Sequence, residues 1–277
     1  MPATNPSSPL LYESHCHTPL CKHAEGQPEE YCAHALRRGL KGIIFTCHAP
    51  LPHGWSAEVR MADSEFDTYV SMVARAREAF AGRLDVRLGL ESDFAPGLEP
   101  WLEALHQRVP LHHVLGSVHY QLEFYRKQYF KGDVFEYQKV YYEHLAMAAE
   151  SGLFDTLSHP DLIKNESPME WFFPRIQPFI EAALDRVAAT GVAMELNTSG
   201  MLKAIREMNP GSAQLAMMQA RGIPVVVGAD AHRPDRVADR YESALLGLYQ
   251  VGYREVSIVL DRRRQTIPLE AALASLL

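Results

Sequence analysis

The chain has 277 residues, of which 47% are hydrophobic and 22% charged, the balance of a soluble globular protein long enough to bury a sizeable core. Its net charge of −7 speaks against a broad nucleic-acid surface, which is normally basic, but not against a small anionic substrate held by bound cations. The N-terminus lacks a basic start, and no apolar run reaches the roughly 18 residues of a membrane span, so neither a signal peptide nor a transmembrane helix is expected.

Residues 1–9 read as a flexible lead to a single domain covering 1–277, with a cytoplasmic location. All four cysteines, Cys16, Cys21, Cys32 and Cys47, fall early in the chain in no zinc-finger spacing, and read as reduced thiols. Strands and helices then alternate. A short strand over 12–15 leads to a helix over 29–38, closed by Gly39. The buried run GIIFT (42–46) is a strand. Residues 65–80 carry apolar side chains at helical spacing (Phe66, Tyr69, Val70, Val73, Phe80). Strands follow at 86–91, 113–118, 154–158, 192–196 and 224–228. The intervening helices are expected at 97–107, 134–151, 174–190 and 212–221, and a last helix lies within 237–251. Residues 257–260 can add a late strand. Seven βα units in this order imply a parallel sheet with helices outside. A closed or nearly closed barrel fits better than the alternative, an open doubly wound sheet. The segments 50–64 and 121–132 are long for βα loops and follow strand ends, so both can wall a pocket.

Those strand ends carry the chemistry. His15 and His17 lie two apart, on one side of a strand, and His23 follows in the loop. Cys16 and Cys47, as neighbours of His17 and His48, should face away from the site. His48 ends the GIIFT strand, Glu91 ends VRLGLE, His119 ends VLGSVH, His159 ends FDTLSH, and VVVGADAH supplies Asp230 and His232. A parallel barrel gathers such ends on one face. Each residue alone has a bland reading as a core or loop side chain. Together they exceed the four ligands usual for one zinc and suit two to three divalent ions, with zinc, iron or manganese all compatible. The chemistry they suggest is metal-assisted hydrolysis of a phosphate ester. His34, His53, His106, His112, His113 and His144 read as structural or surface residues.

This set, H-x-H, a third His, a strand-end His, a Glu, two more His and D-x-H, resembles the PHP (polymerase and histidinol phosphatase) family. HAPLP (48–52), Arg60-Met61, GLESDF (89–94), GSVHY (116–120), HPDLIK (159–164) and ELNTSG (195–200) are similar to its histidinol-phosphate phosphatase branch. The resemblance implies a distorted, TIM-like (βα)7 barrel with a metal site at the C-terminal strand ends. It also implies hydrolysis of L-histidinol phosphate in histidine biosynthesis. By motif, His15, His17, Glu91 and Asp230 would hold one metal. Glu91 would bridge to a second completed by His119 and His159. His23, His48 and His232 would hold a third.

Hydroxide generated between metals would then attack phosphorus, since bound metal brings the pKa of water toward about 7. Asp161 is a candidate proton donor to the leaving group, with a loop or N-cap contact as its alternative. Arg60, Lys164, Ser199, Lys203, Arg206 and Arg233 are candidates to grip the phosphate, and Asp93 or Glu123 to meet the amine. No nucleic acid or membrane partner is expected, and the oligomeric state stays open. Two other functions compete. One is a family phosphoesterase acting on phosphotyrosine, nucleotides or a nucleic-acid 3′ end. The other is a metal-dependent sensor, which would not need all nine residues.

Overall fold

The computed structural model describes residues 8–276; residues 1–7 of the expected lead lie outside the described residues. Strands β1 (Tyr12–Cys16), β2 (Gly42–Phe45), β3 (Asp85–Asp93), β4 (His113–Ser117), β5 (Thr156–Leu157), β6 (Ala193–Asn197), β7 (Val225–Gly228) and β8 (Glu255–Leu260) pair in chain order, all parallel. Helices α1 (Pro28–Arg37), α2 (Phe66–Ala79), α3 (Glu99–His106), α5 (Val134–Glu150), α6 (Phe173–Thr190), α7 (Ser212–Ala220) and α8 (Tyr241–Val251) alternate with them. Strands β1, β2, β4, β6 and β7 are buried along their whole length. That burial is why β2 and β7 read as continuous apolar runs rather than alternating ones.

The sheet curls back on itself. The amide of His17 donates to Ala231 O (2.9 Å) and the amide of Ala231 to His15 O (3.0 Å), joining the end of β1 to the segment after β7. A buried carboxylate fastens this seam. Glu13 on β1 accepts from the amides of Ala229 (3.0 Å) and Ala238 (2.8 Å) and from the Tyr241 hydroxyl (3.0 Å). Strand β8 touches β7 at a single register pair, Val226 with Ser257. It then forms a hairpin with the antiparallel β9 (Arg263–Pro268), followed by α9 (Leu269–Ala274). The result is a seven-stranded barrel with an appended hairpin.

The anticipated strands and helices are present, with shifted ends. The segment 121–132 differs, because it contains a short helix, α4 (Glu123–Tyr129). The segment 50–64 is built from three 3-10 turns. Strand β9 was not anticipated. Apart from Ile267 its residues are exposed, so it carries no apolar signal. No described helix is long and apolar enough to cross a membrane.

Candidate metal centre

The C-terminal strand ends bring all nine side chains into one cluster. Register does part of the work: β2 and β3 pair until His48 stands beside Glu91, with the Ala49 amide donating to Glu91 O (2.8 Å). Glu91 is fully buried and central. Its Oε2 lies 3.3 Å from His15 Nε2, 3.6 Å from His17 Nε2 and 2.8 Å from His48 Nδ1. Its Oε1 lies 2.8 Å from His159 Nε2 and 3.5 Å from His119 Nε2. Asp230 Oδ1 sits 3.2 Å from His17 Nε2 and 3.6 Å from His15 Nε2. At the open side, His23 and His232 face each other Nε2 to Nε2 at 3.0 Å, and the His232 ring stacks on that of His17.

His159 Nε2 with Glu91 Oε1 and His23 Nε2 with His232 Nε2 are hydrogen-bonded, but many of the other atoms are close without a hydrogen bond. His15 Nε2, both ring nitrogens of His17, His48 Nδ1, Glu91 Oε2 and His159 Nδ1 are buried with no hydrogen-bond partner. Buried polar atoms are normally satisfied. Orphaned nitrogens converging on a carboxylate are the donor set of a divalent cation, so the residues fit such ions. Within this cluster the trios His15, Glu91, His159 and His15, His17, Asp230 and His17, His48, His232 each place their ligand atoms within 4.8 Å of one another.

The backbone is bent to achieve this. His159 (φ 29°) and Asp230 (φ 50°) both occupy the left-handed region, which costs residues with a side chain free energy and concentrates at functional sites. The His159 amide is held there by Glu195 Oε2 (2.9 Å). Glu195 Oε1 also takes His15 Nδ1 (2.8 Å), which turns His15 Nε2 toward Glu91. Gly228 makes room: a Cβ there would sit 2.1 Å from Glu195 Oε1. Asp93 does the same for His119, accepting at Nδ1 (2.7 Å) so that Nε2 faces inward. Carboxylates behind ligating histidines fix tautomer and orientation. Sequence reasoning missed the role of Glu195, although it lies in the ELNTSG segment. The available signal was a carboxylate in the middle of an apolar strand. Ser117 Oγ (2.5 Å) steadies Glu91 Oε1, and Ser199 Oγ (3.0 Å) steadies Asp230 Oδ2.

Electrostatics divide the cluster. For His15, burial favours the neutral ring, but Glu195, Glu91 and Asp230 outweigh it and push its pKa well above the usual range. Burial likewise opposes protonation of His17, yet the adjacent Asp230 and Cys47 lift it to about 9. His232 is driven down to about 3, by burial first and then by the charge of His17. His48 falls well below its usual value for the same leading reason, burial. Burial would raise Glu91, but the histidines His15, His48 and His119 hold it well below the carboxylate range. Metal binding requires the imidazoles in their neutral form, so affinity for metal falls as pH falls.

Several expected residues are engaged elsewhere. Lys164 is fully buried, and its Nζ meets Asp161 (2.8 Å), Glu207 (3.0 Å) and Met208 O (3.0 Å). It has no free donor for a phosphate. Asp161 accepts from Lys164, Asn209 Nδ2 (2.5 Å) and the Gly211 amide (2.8 Å). It braces a loop and is not positioned as a proton donor. Arg60 lines a cavity of about 140 Å³ with His23, His48 and His119. Its Nη1, however, is committed to Asp93 Oδ2 (2.5 Å) and Ala49 O (3.0 Å), and it is 1% exposed. Arg60 supports His119 through Asp93, and Asp93 is thereby unavailable to an amine. Lys203, Arg206 and Arg233 are exposed on loops, with Arg233 meeting Asp235 at 3.2 Å. Of the two thiols expected to face away, Cys16 lies 3.5 Å from Ile44 O. Cys47 instead sits behind His17, with Thr18 N and Oγ1 donating to its sulfur.

Comparison with known proteins gives the family and the fold. The PHP domain matches residues 13–199, and the structure adds Asp230 and His232 from beyond that span. The "Probable histidinol-phosphatase" of Deinococcus radiodurans is 39% identical over 257 residues, covering 89% of this chain and 96% of that protein. The histidinol-phosphatase of Bacillus subtilis is 24% identical over 266 residues, covering 84% and 97%. In fold, the chain is similar to the histidinol phosphate phosphatase of Lactococcus lactis solved with zinc, L-histidinol and phosphate. That match has a TM-score of 0.76 and 18% identity, and covers 92% of this chain and 98% of that one. With the domain matched over most of the barrel and a relative aligned nearly end to end, the chain belongs to the PHP family.

Proposed function

We propose that this protein is a metal-dependent phosphomonoesterase that hydrolyses L-histidinol phosphate to L-histidinol and phosphate. The observation that carries the reading is the cluster of orphaned histidine nitrogens around Glu91 and Asp230, in a chain 39% identical to a protein described as a histidinol-phosphatase. Two to three divalent ions are proposed, held by His15, His17, His23, His48, Glu91, His119, His159, Asp230 and His232. Zinc is the first candidate, since the Lactococcus lactis neighbour was solved with it.

Divalent ions in such a site supply Lewis acidity, neutralising phosphate charge and making water nucleophilic near neutral pH. The chain's own residues do the rest. Glu195 and Asp93 hold His15 and His119 in the tautomer that aims Nε2 inward. Ser117 and Ser199 keep the Glu91 and Asp230 carboxylates from rotating. Arg60 balances Asp93 and lends positive field to the cavity wall. Lys203, Arg206 and Arg233, exposed on the loops after β6 and β7, add positive charge that attracts an anionic substrate. The four cysteines are buried and unpaired in disulfides, which fits a reducing, cytoplasmic setting.

The test is phosphate release by metal-loaded protein from L-histidinol phosphate, phosphotyrosine, nucleoside monophosphates and single-stranded DNA. A clear preference for the first is expected. Equal rates on all monoesters would reduce the assignment to a general phosphoesterase, and preference for DNA would overturn it.

A further inference from the structure

The two long loops that follow β2 and β4 meet at their tips. The Trp55 ring stacks on the Phe124 ring, with centroids 5.2 Å apart and planes 18° from parallel. Phe124 packs against the core, while Trp55 remains 40% exposed, so the stack leaves an aromatic wall open to a groove. The groove has a volume of about 580 Å³ and is lined by Trp55, Ser56 and Glu58 from one loop and Glu123, Phe124 and Lys127 from the other. The adjoining residues of the same loops, Val59-Arg60 and Gln121-Leu122, line the small cavity over His23, His48 and His119. Glu58 adjoins Val59 and Glu123 adjoins Leu122 in the chain, so neighbouring residues of the same two loops line the groove and the cavity.

Their charges differ in sign. Glu123 and Lys127 neutralise each other across one helical turn (2.6 Å). Glu58 is exposed and makes no ion pair among the described residues, leaving the groove with one uncompensated negative charge. The histidine cavity, loaded with divalent cations, is positive. Such a dipolar arrangement orients a ligand that is anionic at one end and cationic at the other. Flat aromatic faces beside a carboxylate suit a cation carrying a planar ring, through stacking and cation–π attraction.

We propose that the groove between Trp55, Phe124 and Glu58 is the subsite for the leaving group, and that it selects a short primary amine bearing an aromatic ring. This rests on the phosphomonoesterase reading above and names which esters the site prefers. The phosphate enters the histidine cavity, the ammonium faces Glu58, and the ring lies against the Trp55–Phe124 wall. A neutral leaving group such as glycerol gains none of these contacts.

The experiment uses metal-loaded full-length protein and two substrates, L-histidinol phosphate and glycerol 3-phosphate. In Glu58→Gln, KM for L-histidinol phosphate should rise about tenfold, the size of one charge-assisted contact, with kcat unchanged. Glycerol 3-phosphate kinetics should not move. Independently, free L-histidinol should quench tryptophan fluorescence in the wild type, and Trp55→Phe should abolish the quench. Equal losses on both substrates would mean that the loops are only structural, and a quench surviving in Trp55→Phe would place the amine elsewhere; either result overturns the subsite. If L-histidinol quenches Trp55 while the wild type releases no phosphate from its ester, the subsite stands and the phosphatase reading fails. If the ester is hydrolysed well but Glu58→Gln is silent, the reverse holds.

Discussion

Histidines occupy two different settings in this molecule. His106, His113 and His144 each meet one hydroxyl, from Ser92 (2.9 Å), Thr156 (2.9 Å) and Tyr125 (2.7 Å). Burial pushes all three down to about 4, so they stay neutral. The histidines at the strand ends meet carboxylates and one another instead, and several keep ring nitrogens with no hydrogen-bond partner. A structural imidazole stands with a single hydroxyl, and His113 Nδ1 has no partner at all, so an orphaned nitrogen alone is no sign of a metal. Orphaned nitrogens that converge on buried carboxylates are the donor set for cations from outside the chain.

The largest test of this contrast is Glu91→Gln. Glu91 touches both halves of the cluster, so its loss should cost metal and activity together, beyond the roughly hundredfold that losing an outer partner brings. Circular dichroism should still report a folded barrel. Near-normal turnover would mean that the cluster is structural, like His144. Glu143→Gln is the silent control, because that carboxylate only meets Arg186 on the surface (2.7 Å).

Arg60→Gln comes next. It strands Asp93 in the interior, and breaking a buried ion pair costs about 3–5 kcal/mol. A drop in Tm of roughly 10 °C is expected, together with reduced metal content, since Asp93 orients His119. An unchanged Tm and metal content with a raised KM would return Arg60 to direct phosphate binding.

Glu195→Gln leaves the nine cluster residues intact and weakens the anchor of His15 and of the His159 amide. Metal affinity should fall about 10- to 100-fold, measured by competition with a chelator. An unchanged affinity would show that packing alone orients His15.

The smallest effect lies in the other setting. The pKa of His144 falls from 6.5 to about 4 on folding, so as pH drops the unfolded chain takes the proton first. Its contribution is complete above about 6.5 and is lost as pH falls from there toward 4, by on the order of 2 kcal/mol. In urea unfolding, His144→Gln should flatten the stability slope over that window. An unaltered slope would mean that His144 already carries its proton in the native state.

Much of this was legible in the sequence, for a physical reason. A strand buried on both faces is an unbroken apolar run, so GIIFT, VVVG and their polar terminal residues stand out, and barrel topology carries those ends to one face. What stayed hidden depends on side-chain direction. Lys164, Asp161 and Arg60 sit in loop motifs where a charged residue suggests solvent or ligand, yet each is buried in an ion pair: Lys164 with Asp161 and Glu207, and Arg60 with Asp93. Glu195 looked like part of a strand because its partner, His15, is 180 residues away. Cys47 defied the alternation rule because β2 ends at Phe45, and strand periodicity no longer governs the residues beyond.

The central claim is that the strand-end cluster is a multi-metal centre, and elemental analysis of protein purified without chelator tests it most directly. Paired with phosphate release from L-histidinol phosphate, it should give more than one transition metal per chain, with metal and activity removed together by chelation. Full activity at one metal per chain or fewer would contradict it.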